Sequence, residues 1–143
     1  MSIQSVKSQL ARNSIALVSI CIALYSLGYN TWRNEKSEHN TNVRDASFEV
    51  LSKLGQLKEL VYLGHYDHDQ QRGNPRIGWS YVLSIGDLSL VLPETVQHDA
   101  AELSKVWGDN WEGIGADQAS VDNIDQVIDT TRDHVIQLVK SLH

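Results

Sequence analysis

The sequence predicts an all-α protein: one N-terminal transmembrane helix followed by an antiparallel helical bundle of about four helices. Three observations predict it. The stretch NSIALVSICIALYSLGYNTW, residues 13–32, holds no charged residue, with Arg12 before it and Arg33 after it. From Val43 onward, apolar residues recur at 3/4 spacing in four separate runs. Short breaks rich in glycine, proline or asparagine separate those runs, so consecutive helices turn back on one another.

Residues 1–12 form a short basic tail carrying Lys7 and Arg12. Residues 13–32 follow as the span. Twenty helical residues rise about 30 Å, the thickness of a hydrocarbon core. A globular helix of that length normally carries a polar face, and this one has no charge on any face. Tyr25, Tyr29 and Trp32 sit at its C-terminal end, where amphipathic rings favour the membrane–water boundary. A cleaved leader is the competing reading. Residues 15–24 have the length of its apolar region, and Ser26-Leu27-Gly28 offers small residues for cleavage before Tyr29. Leu27, Tyr29 and Trp32 extend the run past that site and favour a retained signal-anchor. The positive-inside count is nearly balanced, with Lys7 and Arg12 on one side and Arg33, Lys36 and Arg44 on the other; the uniformly basic tail favours an inside N-terminus, as in a bacterial inner-membrane protein with the C-terminal domain outside the cytoplasm.

Residues 33–42, RNEKSEHNTN, form a polar juxtamembrane segment, either a continuing helix or a linker. Residues 43–143 form the acidic helical bundle. Its first helix carries Val43, Val50, Leu54, Leu57 and Val61 at 3/4 spacing, with Ser47 as the polar member and Leu51 and Leu60 widening the stripe. Gly73-Asn74-Pro75 breaks the pattern. A second helix spans about residues 77–92, with Tyr81, Ile85, Leu88 and Leu92 on one face and Gly78 and Gly86 weakening it. Pro93 suits the first position of a third helix, and Glu94 complements its N-terminal dipole. That helix carries Val96, Ala100, Leu103, Trp107 and Trp111, and GIGAD closes it. The last helix is the most regular: Val121, Ile124, Ile128, Thr131, Val135, Leu138 and Leu142. This topology returns the C-terminus to the end of the bundle where the chain enters it.

Residues 33–143 hold all eighteen acidic residues and ten of the twelve basic ones, a net charge of −8. Such a surface repels phosphate backbones, so nucleic acid is not an expected partner. The single cysteine, Cys21, lies in the span, which excludes a disulfide framework, a cysteine zinc site and a cysteine nucleophile from the bundle.

The sharpest candidate for chemistry is HYDHD. On a helix, His65, His68 and Asp69 stand at i, i+3 and i+4 and share one face, a usable zinc or copper set. A polar helix end before a turn is the stronger reading, and neither a bound metal nor any other cofactor is expected. Trp79, Tyr81, Trp107 and Trp111 are candidates for a ligand pocket, though such aromatics more often fill a core. Asp122, Asp125, Asp129 and Asp133 form an acidic strip that reads as a solvated face. Ser80 in GWSYV lacks a nucleophile elbow's second glycine, and Gly113-Ile114-Gly115 lacks the strand and third glycine of a dinucleotide loop. No catalytic residue is assigned.

Within the span, Ala16, Ser19, Ala23 and Ser26 fall on one helical stripe, a candidate contact face for another membrane helix. The expected partners are the lipid bilayer and either another membrane protein or a second copy of this chain. In organisation alone the chain resembles the sensory bundles of bacterial membrane receptors. It departs from them in showing one span and no signalling domain, so no function is carried over. The leading expectation is a non-enzymatic accessory or assembly subunit. A membrane-tethered small-ligand sensor and a metal-dependent enzyme are the alternatives.

Overall fold

A computed structural model describes residues 3–142, with side chains from residue 13 onward. The side chains of Lys7, Arg12 and His143 lie outside the described residues. Four helices follow one another: α1 (Ile3–His65), α2 (Pro75–Ser89), α3 (Glu94–Asn110) and α4 (Gln118–Ser141). No strand occurs among the described residues, and the all-α class holds. The chain divides into two compact units, Met1–His39 and Asn40–His143. α1 is helical through both, so residues 33–42 are a polar helix and not a linker.

In the second unit the helices run antiparallel, as pairs along their length show. The Arg44 guanidinium donates to the Leu142 carbonyl at 3.3 Å, Lys58 Nζ bonds Asp129 at 2.7 Å, and His65 meets Gln118 at 3.1 Å. As the α1 number rises, the α4 number falls. The same holds between α3 and α4, where Asp99 meets His134 at 2.6 Å and Asn110 accepts from Asn123 at 3.1 Å. The end of α4 therefore lies beside Arg44, at the start of the second unit, as an up-down bundle of four requires.

The core takes Val50, Leu54, Leu57 and Val61 from α1, all fully buried. α3 adds Val96, Ala100, Leu103 and Trp107, and α4 adds Val121, Ile124, Ile128, Thr131 and Val135. These are the 3/4 seams legible in the sequence. Ser47 is buried among them because its hydroxyl donates to the Val43 carbonyl at 2.7 Å and leaves no orphaned donor. Leu138 and Leu142 are only partly buried, because α4 ends there.

α2 departs from expectation. Of the expected face, Ile85 and, just past the helix end, Leu92 are buried, while Tyr81 and Leu88 are only partly so; the buried residues within α2 are Gly78, Val82, Ile85 and Ser89. The face is rotated from the one expected because Gly78 packs by having no side chain: a Cβ there would overlap the Trp107 ring. The indole lies directly on the α2 backbone. A similar approach joins α1 to the turn before α2, where a Cβ on Gly73 would overlap the Gly64 backbone.

Capping explains the boundaries. Asn74 caps α2 by accepting from the Arg76 amide at 3.1 Å, with Pro75 in the first turn where its missing N–H costs nothing. Pro93 stands one position earlier than expected, at the N-cap of α3. Asp117 caps α4 through the amides of Ala119 and Ser120 at 3.1 and 3.2 Å. Between α3 and α4, Trp111–Gly113 tightens into a 3-10 turn, and the following Ile114 is fully buried.

Candidate functional site

The N-terminal unit is defined by uncovered apolar surface. Ile15, Leu17, Val18, Ile20, Ile22, Leu24 and Leu27 are all exposed, each by more than half. One window on this helix is long and apolar enough to cross a membrane, and none of it is buried against the rest of the chain. A soluble surface rarely carries an apolar patch of this extent. Ala16, Ser19, Ala23 and Ser26 lie on one side of the helix, all exposed. The Ser19 hydroxyl donates to the Ile15 carbonyl at 2.8 Å, and Thr31 donates to Leu27 at 3.0 Å. Hydroxyls satisfied within their own helix can enter lipid at low cost. Toward the polar end, the Tyr29 and Trp32 rings lie tilted with centroids 6.1 Å apart, and Lys36 Nζ lies 5.8 Å from the Trp32 ring. That gradation from leucine through aromatic to cation matches a hydrocarbon–headgroup–water boundary.

The HYDHD residues form a polar helix end before a turn and do not share the helical face that a metal set would need. α1 ends at His65, and His68 takes a left-handed backbone conformation with φ of 50°. Each residue does separate structural work. The His65 ring meets the Ile114 carbonyl at 2.7 Å through Nδ1 and Gln118 Oε1 at 3.1 Å through Nε2, tying the end of α1 to the start of α4. Asp69 Oδ1 accepts from the amides of Gln71 and Arg72 at 3.0 and 2.9 Å. Those amide bonds, the Arg72 one foremost, hold its carboxyl below the usual range. His68 borders a hollow of about 370 Å³ with Gly64, Asn74 and Gly115. No group of three or more ligand-type side chains converges among the described residues.

The four aromatics do not converge on one pocket. Trp107 is fully buried in the core, and its indole Nε1 has no hydrogen-bond partner among the described residues. Tyr81 and Trp111 pack at the core's edge. Trp79 instead lines an open groove of about 520 Å³ between α2 and α3.

The acidic strip is mostly solvated: Asp122, Asp129 and Asp133 are exposed and Asp125 is half-buried. Asp122 accepts from Gln118, Asp129 binds Lys58, and Asp125 lies near the Tyr62 hydroxyl. Asp125 and Asp129 thus face α1, while the Asp122 bond stays within α4. Burial opposes the Lys58 charge, but the bond to Asp129 and the fields of Asp125 and Asp129 outweigh it and raise its pKa. Burial and the Asp125 contact raise the Tyr62 hydroxyl as well. Ser80 donates to the Ile77 carbonyl within α2 and faces no base.

Two features escaped the sequence reading. Asp99, nearly buried, pairs with His134 beside a second groove of about 370 Å³ between α3 and α4. No local spacing announces that pair, since 35 residues separate its members. The groove beside Trp79 did leave a signal: Trp79, Leu83, Gly86 and Leu90 repeat at 4/3/4 spacing on the flank of α2. No family model matches the chain, and no curated protein or solved structure matches it either.

Proposed function

We propose that this is a single-pass, membrane-anchored, non-enzymatic protein whose acidic helical bundle serves as an accessory or assembly subunit in the cell envelope. The observation that carries the reading is a division of labour. Residues 40–142 bury a complete core, while the apolar window near the N-terminus is left wholly uncovered. Lipid is the solvent that suits such a surface. The basic tail supports an orientation with the bundle outside the cytoplasm. Mass spectrometry of the mature chain and alkaline extraction of membranes test the anchor. A retained N-terminus and resistance to extraction are expected. A mature chain beginning at Tyr29 would establish an exported soluble bundle instead. Protease added to intact spheroplasts tests the orientation, and protection of the bundle would reverse it.

A tethered small-ligand sensor is the second reading. The open groove beside half-buried Trp79 favours it, with apolar walls from Val82, Leu83 and Leu90.

A further inference from the structure

We propose that the α2–α3 face is a self-association seam, on which two copies of this chain pack into an antiparallel four-helix arrangement about a two-fold axis along the bundle. The face has the composition of a helix-packing seam. On the α2 side stand Trp79, Leu83, Gly86 and Leu90, and on the α3 side Gln97, Ala101, Ser104 and Gly108. Both series step by four, three and four residues, the spacing of a two-heptad stripe. Most of these residues line the groove of about 520 Å³. Leu83 is 63% exposed and Leu90 71%, large apolar side chains that the bundle itself does not cover.

The occupant follows from shape and charge. The groove is bulky on one helix and small on the other. The Trp79 ring lies 3.5 Å from where a Cβ on Gly108 would stand, so Trp79 and Gly108 are level. With α2 and α3 antiparallel, Leu83 is then level with Ser104, Gly86 with Ala101, and Leu90 with Gln97. A two-fold axis along the bundle preserves these heights. It sets the leucines of one copy against the small residues of the other, and the reverse. An isologous interface needs that self-complementarity. Charge points the same way. Residues 40–143 contain eight basic and sixteen acidic residues, a net −8, so most faces of two copies repel one another. Among the groove's lining residues only Asp87 is charged. Two acidic copies meet here at the least electrostatic cost.

One part rests on the membrane-anchored reading. Copies held in one bilayer with a common orientation meet side by side, which selects a parallel axis and raises their effective concentration.

The test uses the full chain reconstituted in liposomes at low density, with subunits counted by single-molecule photobleaching. Two-step bleaching is expected for the unaltered chain. Leu83→Glu with Leu90→Glu should raise the dimer dissociation constant at least about a hundredfold. Ser104→Trp, which fills the groove, should act in the same direction. Both leucines are exposed, so far-UV circular dichroism should show unchanged helicity in the double variant. Phe48→Glu introduces a glutamate at an exposed apolar site on α1 and should leave the dimer intact. A monomeric unaltered chain overturns the seam and leaves the groove to a small ligand or an unrelated protein. A dimer that survives Leu83→Glu/Leu90→Glu also overturns it, as does one lost equally in Phe48→Glu. Membrane pelleting is read separately. A chain that stays soluble yet dimerises through these leucines sinks the anchoring reading and keeps the seam.

Discussion

Replacing Gly78 by alanine should strongly destabilise the bundle, against the sign that helix propensity alone gives. Alanine is favoured over glycine inside a helix by about 1 kcal/mol. At Gly78 that gain meets a fully buried indole, because the added methyl would overlap the six-membered ring of Trp107. The ring is rigid and core side chains enclose it, so it cannot yield as a flexible chain end would. The upper bound on the cost is expulsion of the ring, comparable to truncating a buried tryptophan at about 3–5 kcal/mol. Subtracting the propensity gain leaves a net loss of about 2–4 kcal/mol. Gly55 supplies the control. It lies inside α1, and a Cβ there meets nothing within 4 Å, so Gly55→Ala should stabilise by about 1 kcal/mol. Urea unfolding of the full chain in micelles, followed by far-UV circular dichroism, measures both. A Trp107→Leu background should remove most of the Gly78→Ala penalty, since residues in contact are not additive. If Gly78→Ala were as stable as the unaltered chain, or its penalty persisted without the indole, the packing of Trp107 on α2 would be wrongly assigned.

Three further outcomes are expected. Ile128→Ala, in the middle of the α4 seam, should cost about 2–5 kcal/mol in the same unfolding assay, and a loss under about half a kcal/mol would misplace that face. The Asp117 carboxyl is held below its usual range, first by the Ser120 hydroxyl and then by the Ala119 amide. Its stabilisation is therefore complete above the ordinary aspartate pKa and is lost as pH falls through the lowered value. Asp117→Asn keeps a good cap but should flatten that acid limb in pH-resolved melting, and an unchanged limb would exclude Asp117 as its source. In the candidate span, Ala23→Ile should weaken association with a neighbouring helix in membrane crosslinking while Leu24→Ile changes little; equal effects would make the small-residue stripe incidental.

The seams of α3 and α4 were legible because large apolar residues carry them, and spacing arguments count such residues. The face of α2 was not, because a glycine occupies its closest contact. A pattern built on side chains has no symbol for the place where a backbone accepts a ring. The end of α1 was legible as a polar run before a turn, but not to the residue, because His68 adopts a left-handed backbone conformation that hydropathy does not encode. Asp69 was a usable signal, since an aspartate poised to accept from amides two and three residues ahead marks a turn. The α2–α3 groove was written in the sequence as a second stripe on α2, overlooked once the first was taken as the buried face.

The pairing of α1 with α4 also sets the order of events during synthesis. Arg44 and Leu142 are bonded across 98 positions, and Lys58 and Asp129 across 71. At roughly 5–20 residues per second, translating from the end of α1 to the start of α4 takes about 3–10 s. For those seconds the side of α1 destined for α4 has no partner to close on. α2 and α3 can form a hairpin in the interval, but the bundle stays open until the last helix emerges. The nascent chain is thus exposed to misassembly for longer than a bundle of sequential neighbours would be, and a chaperone meeting it then would find the α1 stripe before any finished surface.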